Sequence, residues 1–209
     1  MNQRKTKEEI LESAITLFNT YGCKGVTMDR IATTLHMSKR TLYETFDSKE
    51  VLICESMAHI YREIGVENIE RFKMIEEPLL ATIFIIRNIT AKNNKYYRVI
   101  NDASLYYSDL IKKLVKDICD RLKNRLYTTL SVAKDKGDLR DGINIENTIN
   151  MLIYFVVKGS TRALIPEDEF PKLLDEICFT YMRGLLSTSA IKRYDENEKR
   201  FKEVLKAKP

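Results

Sequence analysis

The sequence of 209 residues contains 7 Gly, 4 Pro, 4 Cys, 2 His and no Trp, and each scarcity removes a class of answer. So few turn-formers cannot punctuate the short strands of a sandwich or barrel, which need a turn signal roughly every 8–12 residues. The glycines at 22, 25, 65, 137, 142, 159 and 184 never reach a GxGxxG or GxxxxGK(S/T) spacing, so neither nucleotide-binding loop is encoded. Cysteines stand at 23, 54, 119 and 178 with no CxxC pair and no His at zinc-finger spacing. No metal site, cofactor or catalytic residue is expected. The two histidines stand far from any complementary group, and no nucleophile elbow supports an enzyme.

The start MNQRKTKEEI lacks the apolar stretch of a signal peptide. The longest apolar runs, 79–86 and 151–157, fall short of the ~20 residues that cross a bilayer. A cytoplasmic chain with reduced thiols and no membrane contact is the expectation. Hydrophobic residues at 44% and charged residues at 31% describe an ordinary globular protein with ample core.

Helical periodicity is what is present. Ile10, Leu11, Ala14, Leu17, Phe18 and Tyr21 share one face of a first helix, Thr6 to Gly22, with Glu8, Glu9 and Glu12 near its start and Gly22 as its stop. Thr27 can cap a short second helix carrying Met28, Ile31, Ala32 and Leu35 inward, and a break follows at His36-Met37. Ser38 can cap a third helix, 39–46, which turns Leu42 and Phe46 inward and leaves Lys39, Arg40, Thr41, Glu44 and Thr45 outside. Asp47 and Glu50 suggest a capping box opening a fourth helix to about Ile75. Two short helices separated by a three- or four-residue turn and braced by a first form a helix-turn-helix.

Beyond it the pattern predicts helices over 79–93, 96–103, a long one capped by Ser108 and ended by Gly137, 145–162, 170–186 and a charged segment in 188–209. The fold class is therefore all-α with nine to ten helices. Residues 1–50 form the helix-turn-helix domain, its motif at about 27–46, and residues 51–209 a second helical domain.

The segment ILESAITLFNTYGCKGVTMDRIATTLHMSKRTLYETFDSKEVLI resembles the DNA-binding region of TetR-family transcriptional repressors through the spaced elements A…LF…G…T…IA…L…S…TLY..F..KE..L. The remainder resembles the family only in kind, through its helical length, the Gly137-Asp138-Leu139-Arg140 turn and the Met182-Arg183-Gly184-Leu185-Leu186 ending. The resemblance implies a homodimer on a palindromic double-stranded DNA operator, released when a small-molecule effector enters the second domain. It implies that Thr27 bonds a phosphate, that Ser38 caps the recognition helix and can touch phosphate, and that Lys39, Arg40 and Thr41 face the major groove. Tyr43 and Lys49 would clamp the backbone. Arg40 stands where the family often has Gly or Ala; it suits either bidentate pairing with guanine, worth roughly 1–3 kcal/mol of discrimination, or a phosphate clamp. Arg4 and Lys5 could follow phosphates or the minor groove, or lie solvated. His36 replaces the usual Gly of the turn, a left-handed position in which His is tolerated.

Phe84, Tyr96, Tyr97, Tyr106, Tyr107, Met151, Tyr154 and Phe155 individually suit plain core, but together they suggest a largely hydrophobic effector pocket. Ile149, Leu152, Ile153 and Val156 on one helix and Leu174, Ile177, Tyr181 and Leu185 on another are apolar over more than one stripe, as a dimer interface requires. A DNA-binding protein controlled by a protein partner, or acting architecturally, is the alternative. Bulk charge is a poor guide: of the net +5, residues 1–50 contribute only +1, with 8 Lys or Arg against 7 Asp or Glu.

Overall fold

The computed structural model describes residues 5–72, 95–154 and 170–196. Within them lie nine helices: α1 Lys7–Tyr21, α2 Met28–Thr34, α3 Lys39–Thr45, α4 Lys49–Phe72, α5 Tyr97–Tyr106, α6 Ser108–Asp135, α7 Ile145–Ile153, α8 Phe170–Gly184 and α9 at 188–196. The predicted helix at 79–93, the end of the one at 145–162, and residues 197–209 lie outside the described residues. The chain divides into two compact units: 1–64 with 93–116, and 65–92 with 117–209.

In the first unit, α1 starts where Thr6 and Glu9 form a reciprocal capping box: the Glu9 N–H donates to Thr6 Oγ1 at 3.1 Å and the Thr6 N–H to Glu9 Oε2 at 2.7 Å. That pairing satisfies two helix-end donors and holds the Glu9 carboxyl below its ordinary range. The apolar stripe Ile10, Leu11, Ala14, Leu17 and Phe18 is buried, as are Val26, Ile31, Leu42 and Phe46, and Leu52, Met57 and Ile60 of α4. Each such side chain contributes on the order of 1.5–3 kcal/mol by leaving water. The cap of α4 is Ser48, whose Oγ accepts the Val51 N–H at 3.2 Å, not Asp47. Because the helix begins at Lys49, Glu50 falls one place short of the position a capping box needs.

A feature absent from the sequence pattern is the packing of α5 on α1. Gly22 ends α1 at φ +81° and donates its N–H to the Phe18 carbonyl at 2.8 Å. At the next residue the Cys23 N–H donates to Asp102 Oδ2 at 2.8 Å, while Arg98 Nη1 donates to the Thr20 carbonyl at 2.5 Å and Asn19 Nδ2 to the Lys95 carbonyl at 2.7 Å. The polar end of α1 is thus satisfied by α5 and the residues just before it. The first unit consequently takes in residues 93–116, which the boundary expected at residue 50 leaves out.

The second unit buries Leu126, Leu130 and Ala133 of α6 with Ile149 and Leu152 of α7, Met182 of α8, and Ala190 and Tyr194 of α9. Asn144 caps α7 by accepting the Asn147 N–H at 2.9 Å. The two segments that resemble the family here are bonded to each other: the Arg140 N–H donates to the Leu185 carbonyl at 2.9 Å and the Ser187 N–H to the Asp138 carbonyl at 2.8 Å, a two-residue antiparallel bridge centred on Leu139 and Leu186. Helix α9 is held by Arg193, which bonds the buried Asp138, and by a two-pronged pair from Arg183 to Asp195 at 2.5 and 2.9 Å.

Candidate nucleic-acid interface

Helices α2 and α3 and the turn between them build one outward face from short-range chemistry. Thr27 Oγ1 accepts the Arg30 N–H at 3.2 Å, and Ser38 Oγ accepts the Thr41 N–H at 3.0 Å. Each cap fixes where a two-turn helix begins. The turn closes through the His36 N–H to the Thr33 carbonyl at 3.1 Å and the Met37 N–H to the Ala32 carbonyl at 3.0 Å. His36 has φ +53°, the single positive φ among the described non-glycine residues, so the departure from Gly leaves the left-handed turn intact. Leu42 and Phe46 are buried beneath α3, which sends Lys39, Arg40, Tyr43 and Glu44 to the exposed side.

The cations on that side are not bare. Lys39 Nζ lies 2.6 Å from Asp29 Oδ1 of α2, and this hydrogen bond, with the carboxylate charge, raises the ammonium pKa above the ordinary lysine value. Arg40, whose side chain is 88% exposed, donates from Nε to Glu44 Oε1 at 2.9 Å. Thr41 is half-buried and its hydroxyl is hydrogen-bonded to Ser38 Oγ at 2.8 Å, so of the three residues expected in the groove it is the least available. Thr27 and Ser38 are exposed at their caps. Lys49 is half-buried at the start of α4, its ammonium donating to the Lys24 carbonyl at 3.4 Å. Lys5 is exposed, 3.9 Å from Glu9 Oε1, and Arg4 lies outside the described residues. Asp29 and Glu44 are the polar neighbours that the sequence reading left unassigned. Glu44 could have been found as the i+4 partner of Arg40; Asp29 meets Lys39 only because the turn folds α2 toward α3.

The residues expected at a pocket divide between the units. Tyr96 is buried in the first, donating its hydroxyl to Glu63 Oε2 at 2.6 Å; burial and that bond raise its pKa. Tyr97 and Tyr107 are half-buried in the same unit, and Tyr106 is exposed with the Lys24 ammonium 3.6 Å from its ring centre. Those four tyrosines flank or belong to α5, which packs on α1, so they serve the first unit. Met151 and Tyr154, in the second unit, are 43% and 52% exposed. Phe84 and Phe155 lie outside the described residues.

Of the residues expected at a dimer interface, Ile149, Leu152 and Leu185 are buried in the second unit's own core. Ile153 and Tyr181 are partly buried against that core, and Ile177 is 40% exposed. Leu174 and Val156 fall among side chains outside the described set. Helix α7 does carry two apolar stripes, but the one left facing out holds Met151 and Tyr154.

This arrangement defines a helix-turn-helix DNA-binding protein, and the other named elements among the described residues are helices too. Residues 10–55 match the family described as bacterial regulatory proteins, tetR family. That match spans α2, α3 and the start of α4. The chain is 25% identical over 177 residues to the biofilm operon icaADBC HTH-type negative transcriptional regulator IcaR of Staphylococcus epidermidis, covering 82% of this chain and 94% of that protein. Among solved structures it resembles a TetR transcription regulator from Haloarcula marismortui, with a TM-score of 0.72 at 15% identity over 86% of this chain and 97% of the other. AibR, solved in complex with isovaleryl coenzyme A and operator DNA, gives a TM-score of 0.60 at 17% identity, covering 82% and 97%. No described helix is long and apolar enough to cross a membrane.

Proposed function

We propose that the chain is a cytoplasmic repressor, without enzymatic activity, that binds a palindromic operator as a homodimer and is released by a small, largely hydrophobic effector. The observation that carries the reading is the outward face of α3, where Lys39, Arg40 and Tyr43 stand over a buried Leu42–Phe46 side. A helix held in this way by a turn and a second helix fits the major groove. Arg40 reads a base edge, Tyr43, Thr27 and Ser38 reach phosphates, and Lys49 with Arg4 and Lys5 adds backbone contacts. Thr41 has the smallest share, since Ser38 occupies its hydroxyl.

Residues 1–50 carry the DNA contacts and 51–209 the effector and the partner. Two recognition helices in an undistorted site would stand roughly 34–36 Å apart. Repression is supported by the likeness to IcaR, a negative regulator, and effector control by AibR, solved with both an acyl coenzyme A and operator DNA. The exposed side chains of Met151, Tyr154 and Ile177 supply apolar area for a partner.

Selection of bound duplexes from a random pool, followed by titration of the selected site, tests the reading. A palindromic consensus bound by a dimer supports it. Binding indifferent to sequence, or a monomeric mass at working concentration, rejects it. Operator release by acyl thioesters or lactones, set against release by a protein fraction only, separates a small effector from a protein partner.

A further inference from the structure

Every cation at the front of the recognition helix has its own carboxylate. Lys39 is 2.6 Å from Asp29 and Arg40 is 2.9 Å from Glu44, and all four side chains are more than half exposed. Neither pair is buried, so neither contributes much to the fold, because solvent screens exposed pairs of this kind. Their position gives them a different significance. Non-specific DNA affinity comes from Lys and Arg neutralising phosphates and releasing counterions, and here the two cations nearest the groove are already matched by two anions.

We propose that Asp29 and Glu44 are specificity-determining positioning residues, which keep Lys39 and Arg40 from engaging phosphates of arbitrary sequence and release them only at a site whose base edges repay the exchange. The inference rests on the reading of α3 as the groove-facing helix. A carboxylate carried into the groove is repelled by the phosphates on either side. It is tolerated where an amino donor such as cytosine N4 faces it, so Glu44 penalises most sequences and accepts a few. Specificity is a difference of affinities, and such a repulsive element enlarges it. Asp29 acts through Lys39: it directs the ammonium toward α2, so that a phosphate must compete for it.

The test uses the full chain with Glu44→Gln, Asp29→Asn and, as a control of equal charge change away from the helix, Glu12→Gln, whose residue is exposed on α1. Affinities for the selected operator and for random duplex are measured from 50 to 200 mM salt. Glu44→Gln and Asp29→Asn should each lower the operator-to-random ratio by about three- to tenfold and steepen the log K against log salt slope on random DNA by up to about 0.9 per unmasked cation. In a Lys39→Gln background, Asp29→Asn should have no further effect on that slope. Ratios and slopes that move no more than those of Glu12→Gln overturn the inference while leaving the DNA-binding reading intact. If the wild-type chain itself shows no operator preference, that reading fails first.

Discussion

The buried carboxylate of Asp102 accepts the backbone N–H of Cys23 at 2.8 Å, joining α5 to the residue that follows α1 across 79 positions of sequence. Beside it, a Cβ on Gly22 would stand 2.8 Å from Asp102 Oδ2, at a φ of +81° that side chains disfavour. Asp102→Ala leaves the Cys23 N–H buried without its acceptor and should lower stability by about 1–3 kcal/mol. Gly22→Ala meets both strain and contact and should lose about 1–2 kcal/mol or more. Denaturant titration of both variants followed by circular dichroism checks this; midpoints matching wild type would remove Asp102 from the tie.

The thiol of Cys23 is pushed up to about 12, first by burial and then by the charge of Asp102. At pH 8 its thiolate fraction is on the order of one in ten thousand, too small for alkylation to compete with unfolding. Iodoacetamide should therefore modify Cys23 only in denaturant, as peptide mapping would reveal. The unfolded thiol loses its proton near pH 9 and the folded one near 12, so the contribution is complete below about pH 9 and falls away between 9 and 12. Cys23→Ala should flatten that alkaline limb.

His36 occupies a left-handed position at φ +53°, where an L-residue is strained by roughly 1–2 kcal/mol and Gly is not. His36→Gly should be neutral or stabilising by up to about 1 kcal/mol once the entropy of Gly is counted. His36→Val should destabilise, because a β-branched side chain tolerates the position least. Thermal melts of the three proteins give the order directly.

Arg40 and Lys49 should fail in different ways. Arg40→Ala should relax base preference at one operator position, with about 1–3 kcal/mol of discrimination lost. Lys49→Ala should weaken all duplexes alike and reduce the salt slope by about 1. Equal losses by Arg40→Ala on operator and random DNA would make Arg40 a phosphate clamp.

Much of the DNA-binding half was legible because its information is local. The caps Thr27 and Ser38, the stop at Gly22 and the inward pairs of α1 and α3 all depend on neighbours within four residues. What could not be read depends on packing at long range. Nothing near Asp102 says that it meets Cys23, and nothing near Tyr96 places it beside Glu63. The apolar stripes of α7 were visible in the sequence, but which one faces inward was not. Both stripes have the same period, and only the positions of α6, α8 and α9 select Ile149 and Leu152 for the core. Tyr194 was legible by contrast: it stands with Ile191 on the apolar side of an otherwise charged segment, and its side chain is 1% exposed.

The bond between Asp102 and Cys23 also sets an order of events during synthesis. At about 5–20 residues per second, the 79 residues that separate the two ends take roughly 4 to 16 s to emerge. Until then the ribosome holds a helix-turn-helix whose first brace is unfinished. A fragment cut at residue 64 would remain permanently in that condition, so this reading head cannot be grafted onto another regulator by exchanging the amino-terminal segment alone; the graft must bring α5 with it.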